Sequence, residues 1–302
     1  MGFRFFEKNK INCMLATLCG LALMIFPEVA VNASKEGIRI WMNAVVPSLL
    51  PFMIIAAYVK RFEVESISAS RFYPVFMAFL SGYPMGAKIA GELYRGGKID
   101  EKGLHQVLYY AMITGPAFLI GGIGVSFYGS KMAGYLLAFS HYAGALTCGL
   151  LLGKSSKGGM HTISRSDFTG RYKTETPFAD CILESFKNLG IVLGYIVIFM
   201  ICADFIEFAG FLESLPDGAG PFCKGILEMT VGCSEIAACG CSLEMKLVLS
   251  SFIVSFGGLS VIGQTMSMLE DCPVTLLQIL KMKGFHGIFS AIYTFTLCAF
   301  VV

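Results

Sequence analysis

Charge is scarce in this chain. Only 15% of its 302 residues are Asp, Glu, Lys or Arg, against 55% hydrophobic residues. A soluble domain carries roughly 25% charged residues, because its surface must face water. The deficit excludes an ordinary soluble fold. The net charge of +2 leaves no basic footprint for phosphates, which excludes a nucleic-acid partner. Catalytic signatures are missing too. There is no H-E-x-x-H, no G-x-S-x-G, and no Ser/Lys or paired-Asp arrangement within the apolar runs, so the chain does not read as an enzyme. The 11 cysteines are odd in number and cannot all pair. Most lie in apolar runs, and Cys233, Cys239 and Cys241 lack a paired C-x-x-C spacing. They read as small packing residues, with no metal and no cofactor expected.

What the chain has is long apolar runs, at 11–26, 44–59, 107–127, 132–152, 189–205, 247–268 and 287–302. About 20 apolar residues cross a ~30 Å hydrocarbon core. The chain therefore reads as an all-α integral membrane protein, with the lipid bilayer as its first partner. Arg4, Lys8 and Lys10 precede the first run, and Val31-Asn32-Ala33 resembles a signal-peptide cleavage site. Further spans follow, so residues 1–37 are expected to be a retained N-terminal transmembrane helix.

Lys and Arg accumulate in short cytoplasmic loops. A topology with a cytoplasmic N-terminus, seven full crossings and two re-entrant hairpins places 1–10, 60–71, 92–105, 154–180 and 270–284 inside. These segments hold 16 Lys or Arg, against 5 in the outside segments 32–39, 128–131, 207–224 and 240–246. The polar stretch 154–177 reads as a cytoplasmic linker at the middle of a multi-pass protein of the cell membrane.

An internal repeat divides the rest. Asn43 and Asn188 each open an apolar helix 145 positions apart, and His141 and His286 share that offset. Between them, 79–90 resembles 229–238 around Gly82 and Gly232, and 108–122 resembles 249–263. Each half, 38–153 and 178–302, reads as a helix, a hairpin (near 76–92 and 222–243), an interrupted helix (104–127 and 246–269) and a helix. A hairpin adds no net crossing, so each half crosses an odd number of times and the second is inverted. Inverted repeats with broken helices are a transporter architecture.

The interruptions are the candidate site. Backbone N–H and C=O groups must be satisfied inside a membrane, so broken backbone belongs beside protein or a watery cavity. Gly82, Pro84 and Gly86 break one run, Gly115 and Pro116 another, Gly257 and Gly258 a third. Helix N-termini exposed there suit anions and C-termini suit cations. Candidate substrate-binding residues are Ser81, Gly82, Tyr83, Pro84, Lys88, Thr114, Gly115, Pro116, Glu228, Thr230, Gly232, Ser255, Gly257, Gly258, Ser260 and Gln264. Ionisable residues at depth need a partner or a cavity. Lys88 receives an anionic substrate group, pairs with Glu228, Glu235 or Glu92, or snorkels to the interface. Asp204 and Glu207 read as interfacial. Asn43, Asn188, Glu235, His141 and His286 are supporting polar groups; the symmetry-related Asn and His pairs either hydrogen-bond between helices or line the site as a proton relay. Na⁺ or H⁺ could couple to the acidic residues, and a homo-oligomer is left open.

The string Ser81-Gly82-Tyr83-Pro84-Met85-Gly86-Ala87-Lys88 resembles a signature of sporulation integral membrane proteins with the nucleoside-recognition Gate domain. Ser255-Phe256-Gly257-Gly258-Leu259-Ser260-Val261 followed by Gln264 resembles a second, and the likeness extends to 47–52 and 228–232. That family resembles the core of concentrative nucleoside transporters. The resemblance implies two hairpins and two interrupted helices around a central site. It also implies transport of dipicolinic acid, a small aromatic dianion, during endospore formation, at the outer membrane of the developing spore. Thr114-Gly115-Pro116 departs from the Asn followed by Ser-Pro or Gly-Pro expected there. Two other readings remain, a cation-coupled nucleoside transporter and a non-transporting sporulation scaffold.

Overall fold

The computed structural model describes residues 14, 17–61, 72–153, 178–212 and 215–301. The linker 154–177, most of the basic segments at 1–10 and 60–71, and most of the N-terminal stretch lie outside the described residues. Within them the chain is helical throughout. Among the described residues four helical segments are long and apolar enough to cross a membrane, namely Pro27–Val59, Lys131–Leu152, Phe178–Phe208 and Leu243–Met268. Large apolar side chains face outward, as a lipid-facing surface requires. On Lys131–Leu152, Met132, Tyr135, Phe139, Leu146 and Leu150 are exposed, while Leu136, Leu137, His141, Gly144 and Cys148 are buried.

The first half runs α1 (Pro27–Ile40), a π-helical turn (Trp41–Val45), α2 (Val46–Arg61), α3 (Tyr73–Ser81), α4 (Met85–Arg95), α5 (Glu101–Ala111), a second π-helical stretch (Phe118–Val125) and α6 (Lys131–Leu152). The second runs α7 (Phe178–Phe208), α8 (Ala219–Leu227), α9 (Met229–Ala238), α10 (Leu243–Phe256), α11 (Gly258–Met268) and α12 (Leu276–Val301). Side-chain caps fix several starts. Asp100 accepts from the Gly103 N–H (2.7 Å), Ser130 from Ala133 (3.2 Å) and Ser242 from Met245 (3.3 Å). Thr275 and Gln278 form a reciprocal capping box at α12.

Element bounds recur at the offset read from the polar residues. The ends of α3 and α8, the starts of α4 and α9, the ends of α5 and α10 and the starts of α6 and α12 are separated by 144 to 146 positions. This corrects the register of the hairpins. Gly82 at the first tip pairs with Leu227 at the second, and Tyr83 with Glu228; Gly232 is no counterpart of Gly82. Gly232 instead lies where the arms of the second hairpin touch, and a Cβ there would meet Gly225 Cα at 2.1 Å. Its glycine serves arm-to-arm contact, so glycine matching misled the alignment.

Equivalent helices run against each other. Phe26 meets Phe205 and Phe208, Trp41 Nε1 donates to the Leu189 carbonyl (3.1 Å), and Tyr58 meets Phe178. As numbering rises along α1–α2 it falls along α7. The C-terminal end of α6, at Leu152 and Gly153, shares a groove with Gln278 and Lys281 at the N-terminal end of α12. Opposed equivalent helices are what an inverted repeat requires. The loops also sort by end. Arg95 donates to the Glu270 carbonyl (3.1 Å) at one end. At the other, Tyr128 donates to the Lys246 carbonyl (3.0 Å), and Ser130 and Met132 adjoin Leu243 and Leu247. The charge count separates these same two groups of segments.

Gly82 has φ 72° and ψ −163°, a region open essentially to glycine alone. A Cβ there would also lie 3.1 Å from the Gly115 backbone nitrogen. Gly82→Ala is expected to destabilise the protein by about 1–3 kcal/mol in thermal unfolding in detergent. Gly190→Ala, on an open face of α7 with nothing within 4 Å, is expected to leave stability unchanged or raise it by up to ~1 kcal/mol.

Candidate functional site

The four interruptions converge. The first hairpin tip, Gly82, packs directly on the Gly115 break of the same half. In the second half a Cβ on Gly258 would meet the Leu227 carbonyl and the Met229 nitrogen at the other tip, at 3.0–3.2 Å. Between the two pairs lies a narrow cleft whose enclosed volume, about 30 Å³, is of the order of one water molecule. Gly82, Tyr83, Thr114, Gly115, Phe118, Glu228, Thr230 and Gln264 line it, with Val45, Leu49, Val192, Met229 and Val261.

Four helices begin at this cleft. Tyr83 precedes α4. Gly115 precedes the turn of helix that starts at Pro116, a residue suited to the first helical position because it has no N–H to orphan. Glu228 caps α9, and Val261 and Gln264 lie in the first two turns of α11. The positive ends of four helix dipoles therefore point toward one space.

Glu228 is 2% exposed and is the N-cap of α9. Its carboxylate accepts from the Val231 N–H (2.8 Å), the Thr230 hydroxyl (3.1 Å) and the Ser260 hydroxyl (3.4 Å). A buried carboxylate needs such donors, and a helix N-terminus supplies them.

The opposite charge is Lys283 of α12, 2% exposed. Its ammonium donates to the Tyr83 hydroxyl, to the Met112 carbonyl (2.9 Å) and to His286 Nδ1 (3.1 Å). Met112 is the C-cap of α5, and Gly257, the C-cap of α10, lies beside the Lys283 stem. The Lys283 amine thus sits at the C-terminal ends of two broken helices while the Glu228 carboxyl group sits at an N-terminal end. Each buried charge is matched by backbone rather than by the other.

The broken backbone is satisfied by side chains from neighbouring helices. The Thr114 N–H donates to His141 Nε2 (2.9 Å) and the Thr114 carbonyl accepts from the Tyr142 hydroxyl (2.9 Å). The Met112 carbonyl accepts from Tyr83 (2.8 Å) as well as Lys283. Since His141 Nε2 accepts, its proton sits on Nδ1 and faces Ser255 Oγ (2.8 Å). His286 Nε2 donates to the His141 carbonyl (2.9 Å), leaving Nδ1 to accept from Lys283. The symmetry-related histidines meet here, their rings 4.6 Å apart. In contrast, the Thr114 hydroxyl is buried at the cleft wall with no hydrogen-bond partner among the described residues.

The remaining candidate residues divide. Pro84 and Pro116 lie at the edges of the breaks. Ser81 bonds back to the Met77 carbonyl (2.7 Å). Lys88 does not line the cleft; it is partly exposed and faces Glu184 of α7 at 3.8 Å. Glu235 and the two acids read as interfacial, Asp204 and Glu207, surround Lys224 at 2.9, 3.6 and 2.7 Å. Asn43 is exposed on its helix, and Asn188 sits beside the Leu189 carbonyl that takes the Trp41 donor. Lys283 is the residue that sequence reasoning missed, because 270–284 was assigned to a loop. Its signal was position, one helical turn before His286.

Removing the donor to a buried carbonyl costs roughly 1–3 kcal/mol. Tyr142→Phe is therefore expected to lower stability by about that much in thermal unfolding, by orphaning the Thr114 carbonyl. Thr114→Val is expected to change stability by less than about 1 kcal/mol, since its hydroxyl makes no well-formed hydrogen bond among the described residues.

The chain is similar to the sporulation integral membrane protein YlbJ of Bacillus subtilis (strain 168), with 24% identity over 340 residues, covering 96% of this chain and 83% of that protein. No protein-family model and no solved structure matches it. A likeness over nearly the whole chain agrees with the apolar helices in making this a multi-pass integral membrane protein.

Proposed function

We propose that the protein carries a small anionic solute across a membrane during endospore formation, and that dipicolinic acid is that solute. The observation that carries this reading is the convergence of four helix N-termini on one cleft at the breaks of both halves. Each helix start favours a negative group by about 0.3–1 kcal/mol; with Glu228 at the α9 start three remain, offset in part by the C-terminal ends of α3 and α8 at Gly82 and Glu228. Lys283, one hydroxyl behind the wall at Tyr83, adds positive charge. The unpartnered Thr114 hydroxyl offers a donor, and Tyr83 and Phe118 offer ring surface for an aromatic solute.

Glu228 sets a condition. As an anion it already occupies one of the four helix ends. A dicarboxylate therefore needs a proton or Na⁺ to accompany it, which supports coupled transport. A carboxylate beside Gln264 and Thr230 also favours the second reading, a cation-coupled nucleoside transporter. The sporulation name of the B. subtilis relative supports the first. The excess of Lys and Arg in segments such as 1–10, 92–105 and 270–284 supports a cytoplasmic N-terminus.

Vesicles containing the protein are expected to take up dipicolinate above empty vesicles, without competition from uridine. Lys283→Met is expected to reduce uptake about tenfold or more, the worth of a hydrogen bond to a charged group. Lys88→Met is expected to leave it unchanged. Competition by uridine alone would select the nucleoside reading, and uptake of neither solute would remove transport.

A further inference from the structure

The open end of the second hairpin holds a group of donors that the transport site does not use. Asp217 lies two residues before α8, Cys239 is the C-cap of α9, and Cys241 lies two residues before α10. The Asp217 carboxylate and the two thiol sulfurs lie within 4.8 Å of one another. Sequence spacing could not show this, because Asp217 is 22 positions from Cys239 and the two cysteines form only a C-x-C.

We propose that Asp217, Cys239 and Cys241 form a binding site for a thiophilic divalent cation of the Zn²⁺ class, which clamps the base of the hairpin whose tip carries Glu228. Three protein ligands with an open fourth position are a common zinc arrangement. Zn–S bonds of about 2.3 Å and Zn–O bonds of about 2.0–2.2 Å require donors roughly 3.5–3.8 Å apart. The present separations need to shrink by only about 1 Å, which side-chain rotation supplies.

Two glycines make the juxtaposition possible. A Cβ on Gly218 would lie 2.8 Å from Cys241 Sγ, and one on Gly240 would lie 2.6 Å from Asp217 Oδ2. Gly218 is also left-handed, with φ 82°. Both segments therefore approach through positions that tolerate no side chain. The charge balance is also favourable. Two thiolates and a carboxylate around a dication leave one net negative charge, and binding releases the two thiol protons. Lys246, in the first turn of α10, is anchored on the Ala237 carbonyl at 3.0 Å. Lys224 already ties the arms through Glu235, one from α8 and one from α9. The metal would add a second tie where the arms open.

The test uses the full chain in detergent, kept reduced, with Zn²⁺ and Cd²⁺ as probes. Cd²⁺ is expected to give a thiolate-to-metal absorption band at one equivalent. Zn²⁺ is expected to raise the unfolding temperature and to shield Cys239 and Cys241 from maleimide, read by peptide mass. Cys239→Ser with Cys241→Ser is expected to abolish both effects. Asp217→Asn is expected to weaken binding by at least the ~10-fold that even an outer ligand partner contributes. Cys202→Ser, at an exposed thiol that is not one of the three proposed ligands, is expected to change nothing. Absence of the band in the wild-type protein overturns the proposal. So does a band that survives the double substitution, or unaltered maleimide labelling of Cys239 and Cys241 at saturating Zn²⁺. The labelling arm needs no variant, so misfolding of a substituted chain cannot mask the result. None of these readouts depends on transport.

Discussion

The structure depends on one constraint, that peptide groups freed by a break inside a membrane must find partners within the protein. At the Met112–Thr114 break those partners are His141 and Tyr142 from α6, Lys283 from α12 and Tyr83 from the hairpin tip. The satisfying groups come from three separate elements. Once the break exists, hairpin, scaffold helix and last helix are all drawn to it. The cleft is then the space these elements leave, walled by four helix starts and by the ends of α3 and α8, because each break makes both.

Repetition supplied the frame, and divergence supplied the chemistry. Equivalent positions hold Tyr83 and Glu228 at the two hairpin tips, and Ala138 and Lys283 on the two closing helices. Met112 and Gly257 are equivalent C-caps, and Lys283 reaches the first while lying along the second. A symmetric fold thus holds one anion and one cation on opposite polarities of broken helices. That asymmetry allows one end of the cleft to treat charge differently from the other.

Much of this was legible in the sequence, for a physical reason. A histidine or asparagine inside an apolar run is expensive, so His141 with His286 and Asn43 with Asn188 stand out and reveal the 145-residue period. Breaks at Gly82–Pro84, Gly115–Pro116 and Gly257–Gly258 stand out because glycine and proline disrupt helices. Two things did not show. Glycine marks both turns and close helix contacts, so Gly232, a contact residue, was taken for a turn. Lysine at depth is legible, but its partner is not. Lys88 is closest in sequence to the first tip, yet α4 turns it toward Glu184, while Lys283 reaches Tyr83 from 200 positions away.

The central claim is that the cleft receives an anion at four converging helix starts. A structure determined with dipicolinate present tests it most directly. The account expects ligand between the two hairpin tips, with a carboxylate at the Gly115–Phe118 or Gly258–Val261 helix start and the ring beside Tyr83 or Phe118. Ligand bound elsewhere, or an empty cleft at saturating dipicolinate in a protein shown to transport it, would contradict the account.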